Sequence, residues 1–316
     1  MSPIQVFEDF PKTQKEFDKR FNDEEACYDY LFKLRWPTGY WCPKCGNYAY
    51  WKSRRGLFIC CRCEHHQSVT AGTILHRTQK PLTLWFKAMW WFTTRKSGIN
   101  AVTLQSLLGF GSYHTAWSWL QKLRCCTIRQ GREKLSGQVE ADEFYLGGQH
   151  TGKRGRGSEN KCAVAIAVER KGKKLGRLRL KVIENCSGEK LLPFVKENVQ
   201  VSSAVTTDGW PGYSGLEKEK YVHKQVTRCK TDNKDSVLPG VHLVISLLKR
   251  LMLGTHQGRF EEKYLQRYLD EYVFRFNRRQ TKSVGKRFWR IAQQIAVSSP
   301  VAIRQILSGC PPMLAN

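Results

Sequence analysis

Gln138-Val139-Glu140-Ala141-Asp142-Glu143-Phe144-Tyr145-Leu146-Gly147-Gly148 is the stretch on which the fold turns. It reads as a strand that carries Asp142 into an apolar setting. A second stretch of the same kind, Ala204-Val205-Thr206-Thr207-Asp208-Gly209-Trp210, delivers Asp208. A carboxylate at the end of a buried strand costs several kcal/mol unless a cation compensates it. Two such carboxylates in a strongly basic chain imply a divalent metal ion holding a phosphodiester. Glu143 falls on the opposite strand face from Asp142, whereas Glu140 shares its face and is open as an extra ligand.

Composition narrows the partners. The chain has 316 residues, 53 Lys and Arg against 27 Asp and Glu, and a formal net charge of +26. An excess this large, spread along the whole length, calls for a polyanion, and nucleic acid is the first candidate. A membrane surface is the alternative, but no run approaches the ~18 uninterrupted apolar residues of a spanning helix. A hydrophobic content of 41% suits a folded protein of two or three domains. No secretory signal is visible at the start. The twelve cysteines are therefore expected as reduced thiols in the cytoplasm, at the nucleoid, some of them on metal.

Cys42, Cys45, Cys60 and Cys63 form CxxC…CxxC, a spacing that lets each pair clamp one side of a tetrahedral Zn²⁺. Gly46 permits the tight knuckle after Cys45. Four thiolates leave no open position, so the zinc is structural. Cys61 sits inside the second pair and competes less well as a ligand. The other seven cysteines read as ordinary buried thiols. The basic residues Lys52, Arg54 and Arg55 lie between the pairs and suit a grip on nucleic acid. A helix over 23–34, capped by Asn22 or Asp23, precedes this ribbon.

Residues 98–124 read as helix, tight turn, helix. Leu104, Leu107 and Leu108 face inward, Gly109-Phe110-Gly111-Ser112 makes the turn, and Ala116, Trp117, Leu120 and Leu123 form a second apolar stripe. Ser112, Tyr113, His114, Thr115 and Ser118 would lie on the outer face, with the start of the second helix in a major groove. Gln121, Lys122 and Arg124 would meet phosphates. A plain helical hairpin is the alternative.

Beyond residue 138 the texture becomes strand-like, at 138–142, 162–168, 175–183 and 204–207. A helix over 188–199 precedes the last strand, and helices over 241–253 and 261–276 follow it. A basic loop with Lys153, Arg154 and Arg156 lies between the first two strands and suits DNA binding.

These motifs together resemble the ISXO-two-like insertion-sequence transposases. The resemblance runs through Cys42-Pro43-Lys44-Cys45-Gly46, Gln67-Ser68-Val69-Thr70-Ala71-Gly72-Thr73-Ile74, Thr115-Ala116-Trp117 and Val139-Glu140-Ala141-Asp142-Glu143. It continues through Thr207-Asp208-Gly209-Trp210, Ser246-Leu247-Leu248-Lys249-Arg250 and Leu253-Gly254-Thr255-His256-Gln257-Gly258. It ends with Tyr268-Leu269-Asp270-Glu271-Tyr272 and Phe274-Arg275-Phe276-Asn277-Arg278-Arg279.

The resemblance implies an α/β fold, a ribonuclease-H-like (integrase-like) mixed sheet with helices, preceded by a zinc ribbon and a helix-turn-helix. It implies a DDE-type transposase that cuts element ends and joins them to target DNA with Mg²⁺ or Mn²⁺. Asp142 and Asp208 match the first two acidic ligands, and Lys249 matches the lysine beyond the third. Arg250 joins Lys249 as a DNA contact.

The third position departs from the family. The glutamate register gives His242, 34 residues after Asp208, and the asparagine register gives Leu247, which cannot ligate. His242 stands as the third ligand, with Asp232 or Asp235 as the acids able to replace it. The expected partners are double-stranded DNA, as terminal inverted repeats and target, and a second copy of the chain, because two ends must be held together. The competing reading is a decayed transposase or a zinc-ribbon DNA-binding protein without nuclease activity.

The expected organisation is a helical segment over 1–38, the ribbon over 39–72, the helical DNA-binding region over 73–130, the catalytic domain over 136–300 and a tail over 301–316.

Overall fold

The structure is a computed structural model, and it describes residues 8–129, 131–147, 161–226, 237–258 and 260–309. The N-terminal elements are α1 (Gln14–Arg20), α2 (Glu24–Arg35), β1 (Tyr50–Lys52), β2 (Phe58–Cys60), β3 (His66–Gln67), α3 (Leu82–Thr94), α4 (Ala101–Leu108) and α5 (Tyr113–Cys125). A second group follows: β4 (Gln138–Gly147), β5 (Lys161–Lys171), β6 (Lys174–Ile183), α6 (Gly188–Asn198), β7 (Ala204–Thr207), β8 (Val222–Gln225), α7 (Pro239–His256) and α8 (Glu262–Asn277). Helices α9 (Val284–Val297) and α10 (Ile303–Leu307) close the chain.

The chain divides into two compact units. One takes in everything up to Arg129 and resumes from Thr281; the other runs between them. The expected catalytic domain ran to residue 300. In the structure α9 packs instead on α2 and α3. The reason is aromatic: Phe288 of α9 lies 5.5 Å from Phe17, 5.6 Å from Phe21 and 5.8 Å from Phe86, ring to ring. Large rings in such clusters dominate core energetics.

In the first unit Asp23 caps α2, its carboxylate accepting from Ala26 N at 2.8 Å. The ribbon is a three-stranded antiparallel sheet in the order β1-β2-β3. Helices α4 and α5 are joined by Gly109, whose positive φ of 64° ends the first helix.

The second unit is built on a five-stranded sheet in the order β6-β5-β4-β7-β8. β4, β5 and β6 are antiparallel neighbours, whereas β7 and β8 run parallel to β4. In sequence order the strands lie 3-2-1-4-5, with β5, beside the central β4, as the one antiparallel strand, which is the ribonuclease-H-like arrangement. One sheet face buries Val139, Ala141, Ala163, Ala165 and Ala167 against Leu191, Phe194 and Val195 of α6. The other face of β4 carries Glu140 and Asp142 toward α7. α8 lies along β6. Its Asn277 accepts from Leu178 N at 2.7 Å and its Gln266 accepts from Val182 N at 2.8 Å, which satisfies an edge strand that would otherwise be open.

Candidate active site and zinc centre

The four ribbon cysteines converge. Cys42 and Cys45 lie in the loop before β1, Cys60 ends β2, and Cys63 lies in the turn after it. Their sulfurs all fall within 4.8 Å of one another, with Cys42 to Cys63 and Cys45 to Cys60 each 3.5 Å apart. A tetrahedral zinc with Zn–S of about 2.3 Å needs sulfur–sulfur edges of about 3.8 Å, so the set fits that ion.

The thiols differ in proton affinity. Burial pushes the Cys60 thiol up, but N–H groups of Arg62 and Cys63 outweigh it and bring it down to about 6. The His65 N–H draws Cys63 down, yet burial and the neighbouring sulfurs push it up to about 12. Four thiols this close cannot all ionise unless a cation lies between them. Cys61 is exposed and outside the set, while Cys27, Cys125, Cys126, Cys162 and Cys186 are buried thiols. Cys229 and Cys310 lie outside the described residues.

The acidic site follows from strand register. β4 and β7 pair Gln138 with Ala204, Val139 with Val205 and Glu140 with Thr206. That offset, 66 residues, is also the separation of Asp142 from Asp208. Asp142 and Asp208 each lie two residues beyond the last pair of that ladder, Glu140 with Thr206. Asp142 is 9% exposed, and its Oδ1 accepts from Glu143 N at 2.8 Å. Asp208 lies one residue past β7, where its Oδ1 accepts from Trp210 N at 3.0 Å.

His242, in the first turn of α7, places Nε2 3.7 Å from Asp142 Oδ2. Lys249 and Arg250 are exposed on the same helix. Lys249 lies seven residues, about two turns, beyond His242. Among the described residues only the four cysteines bring three or more such donor atoms within 4.8 Å of one another. The two aspartates and His242 therefore do not form so tight a set.

Sequence comparison adds to this geometry. The transposase zinc-ribbon domain matches residues 22–66, and the ISXO2-like transposase domain matches residues 134–277. Together the two family models take in more than half of the chain. The chain belongs to the ISXO2-like transposase family.

Among curated proteins none matches this transposase-family chain. Among solved structures it is similar to the catalytic core domain of BIV integrase, with 16% identity, 48% of this chain and 89% of that chain covered, and a TM-score of 0.31. It is also similar to a chain of the simian T-cell lymphotropic virus intasome in complex with PP2A regulatory subunit B56 gamma. There the identity is 11%, the coverage 64% of this chain and 74% of that chain, and the TM-score 0.32.

Several expected positions sit differently in this ISXO2-like protein. Gln121 is fully buried and Arg124 is 2% exposed, so neither can meet a phosphate from α5. Their side of the helix packs inward with Leu120 and Leu123, because α5 is covered by α3, α4 and α10. Trp119 of α5 stacks on Trp85 at 3.5 Å between ring centroids. Leu107 faces outward, 41% exposed, and Phe110 takes its place in the core. Tyr113 and His114 are exposed and Thr115 is half-buried, while Ser112 stands at the N-cap of α5. Leu247 is half-buried on α7. Lys153, Arg154, Arg156, Asp232 and Asp235 lie outside the described residues.

Glu140 does not stand open as a ligand: its Oε2 accepts from Val241 N at 2.9 Å, and its Oε1 lies 3.4 Å from Arg170 Nε. Tyr213 went unnoticed in the sequence. Its buried hydroxyl donates to Glu143 Oε2 at 3.2 Å. Burial first, then the charges of Glu143, Asp142 and Asp208, push its phenol well above the ordinary value. Both aspartates thus lie within electrostatic range of one buried phenol. A tyrosine six residues past β7, in a Gly- and Pro-rich loop, offers no sequence pattern that would have exposed this.

No helix among the described residues is long and apolar enough to cross a membrane.

Proposed function

We propose that the protein is an insertion-sequence transposase that binds the ends of its element in double-stranded DNA, cuts them and joins the freed 3′-hydroxyl to target DNA. The single observation that carries the reading is the β4–β7 register, which supports Asp142 on β4 and Asp208 just past β7 as neighbours. His242 at 3.7 Å from Asp142 supports a third donor on the same site. Bound divalent cations would supply an activated oxygen nucleophile and stabilise the leaving oxygen.

The chain's own residues do the rest. Asp142 spends one oxygen on Glu143 N and turns the other toward His242. Asp208 is steadied by Trp210 N. Both carboxylates are oriented before DNA arrives, which lowers the ordering cost in the reaction. Lys249, two turns from His242, holds a DNA phosphate against the site. His242 contributes nitrogen, which Mn²⁺ accepts more readily than Mg²⁺.

The ribbon, held by structural zinc on Cys42, Cys45, Cys60 and Cys63, and α5, entered through Ser112, Tyr113, His114 and Thr115, grip the duplex. Trp41, Tyr48 and Trp51 are exposed on the ribbon beside Lys52, Arg54 and Arg55, a combination suited to nucleic acid. Lys153, Arg154, Arg156 and Arg250 add to the phosphate contacts. Two copies act on paired ends, at the nucleoid in the cytoplasm.

A DNA-binding protein that no longer cuts is the second reading, favoured by Leu247 in the asparagine register. The two separate in one experiment. Purified protein is incubated with Mn²⁺ and DNA carrying the repeats that flank its gene, beside Asp142→Asn. Nicking and joining that vanish in the variant while binding persists support the transposase. Binding without nicking, identical in both proteins, supports the second reading.

A further inference from the structure

We infer that Glu140 is a positioning residue: it fastens the start of α7 to β4 and so sets His242 against Asp142. The inference rests on the function proposed above, in which those two side chains share a cation.

Helix α7 begins without help of its own. Leu238 stands at its N-cap, no side chain there accepts a hydrogen bond, and the first turn holds no acid. The N–H groups and the positive end of the helix dipole need a partner. Glu140 supplies it from another element. Its Oε2 accepts from Val241 N at 2.9 Å, and its Oε1 lies 3.4 Å from Arg170 Nε. Glu140 is 7% exposed, and a charged acceptor in such surroundings makes a strong bond. Arg170 faces this side by simple alternation, because β5 pairs with β4 in unbroken register, Val168 opposite Glu140 and Arg170 opposite Gln138.

Gly240 completes the clasp. A Cβ at this position would lie 2.8 Å from Glu140 Oε2, 2.9 Å from Arg170 Nη1 and 2.9 Å from Leu175 Cδ2. A Cβ there would displace the ends of the Glu140 and Arg170 side chains from the clasp.

The spacing gives the clasp its consequence. Glu140 and Asp142 are two apart on β4 and share a face. Val241 and His242 are adjacent on α7. The contacts Glu140 to Val241 and Asp142 to His242 therefore run side by side between the same strand and the same helix. A slip of the helix end breaks both. A carboxylate already spent on a helix N–H and a guanidinium has little left for a cation, which separates Glu140 from Asp142 in role.

The test uses full-length protein and Mn²⁺ alone as the probe, titrated calorimetrically, with cleavage of end-bearing DNA measured in parallel. The variants are Glu140→Gln, Glu140→Ala, Gly240→Ala and Asp142→Asn, each checked for bound zinc and helical circular dichroism. The amide oxygen of Glu140→Gln still accepts from Val241, so it binds Mn²⁺ and cleaves within a few-fold of wild type. Glu140→Ala and Gly240→Ala weaken Mn²⁺ binding by about 10–100-fold, the range for a lost outer-shell partner. Their cleavage recovers at raised Mn²⁺, which a merely unfolded protein would not do.

Wild-type Mn²⁺ binding in Glu140→Ala and Gly240→Ala overturns the inference. So does a loss in Glu140→Gln as deep as in Asp142→Asn, which would make Glu140 a ligand. If Glu140→Ala does not fold, Glu140→Gln and Gly240→Ala decide by the same outcomes. Failure of the proposed function has a different signature: wild type and Asp142→Asn then bind Mn²⁺ alike, and this inference falls with it.

Discussion

At the residue scale, His242 as the proposed third ligand would change what the site can hold. A nitrogen in place of a carboxylate would lower the negative charge facing the cations and shift preference toward Mn²⁺. His242→Ala is expected to lose the Mn²⁺ advantage, and His242→Glu to cleave in Mg²⁺ at least as well as in Mn²⁺, read from cleavage rates in the two metals. Equal Mg²⁺ activity in wild type and His242→Ala would remove the histidine from the site. The two zinc knuckles offer a second residue-scale test. Gly46 follows Cys45 with φ of +72°, and a Cβ there would touch nothing within 4 Å. Glu64 holds the matching place after Cys63 with φ of 54°. Gly46→Ala should therefore cost about 1 kcal/mol through backbone strain alone, and Glu64→Gly should gain a similar amount. Thermal melts of the zinc-loaded protein check both. The cysteine spacing made the zinc set legible, since CxxC…CxxC encodes its own geometry. The sign of φ at Glu64 was not legible, because glutamate rarely adopts it.

At the element scale, the helix α8 couples the edge of the sheet to a titrating acid. Gln266 accepts from Val182 N of β6 and donates to Asp270 Oδ1 at 2.8 Å. Burial pushes the Asp270 carboxyl up to about 7, against the pull of the Gln266 bond and of the Arg132 and Arg267 charges. The folded state therefore holds this proton more tightly than the unfolded chain, where the value is 3.8. The stabilisation is complete below about pH 4 and is lost as pH rises through about 7. Asp270→Asn keeps the bond to Gln266 without the charge. It should raise stability at pH 8 by on the order of 1 kcal/mol and flatten the decline between pH 4 and 7. Urea unfolding at several pH values measures this, and an unchanged slope would sink it. The strands β4, β5, β6 and β7 and the helices α6, α7 and α8 were legible from hydrophobic pattern. β8 was not: its four residues, Val222-His223-Lys224-Gln225, are mostly exposed and show no alternation. α9 carries a readable stripe, Phe288, Ile291, Ala292 and Ile295, but a stripe alone does not say which unit it packs against.

At the scale of the whole molecule, the net charge of +26 would govern how the proposed DNA partner is held. If six to ten phosphates are neutralised, affinity for duplex should fall by roughly 10³–10⁵-fold between 50 and 200 mM salt. A slope near zero in a filter-binding or anisotropy series would count against the basic surface as the grip. The sequence by itself determined the zinc set, the two aspartates with their strand settings, the helix that follows them and the charge that selects a polyanion. Each of these is local, carried by spacing or by periodicity within one element. Which distant elements meet is settled by long-range packing. The β4–β7 register runs to Glu140 and Thr206, two residues short of Asp142 and Asp208, and the start of α7 brings His242 to Asp142. Glu140 is drawn away into a helix cap, Gln121 and Arg124 are turned inward, and α9 returns to the first unit. These depend on pairing between residues tens to hundreds of positions apart, where the energy lies in packing and in buried hydrogen bonds that no single stretch of chain contains.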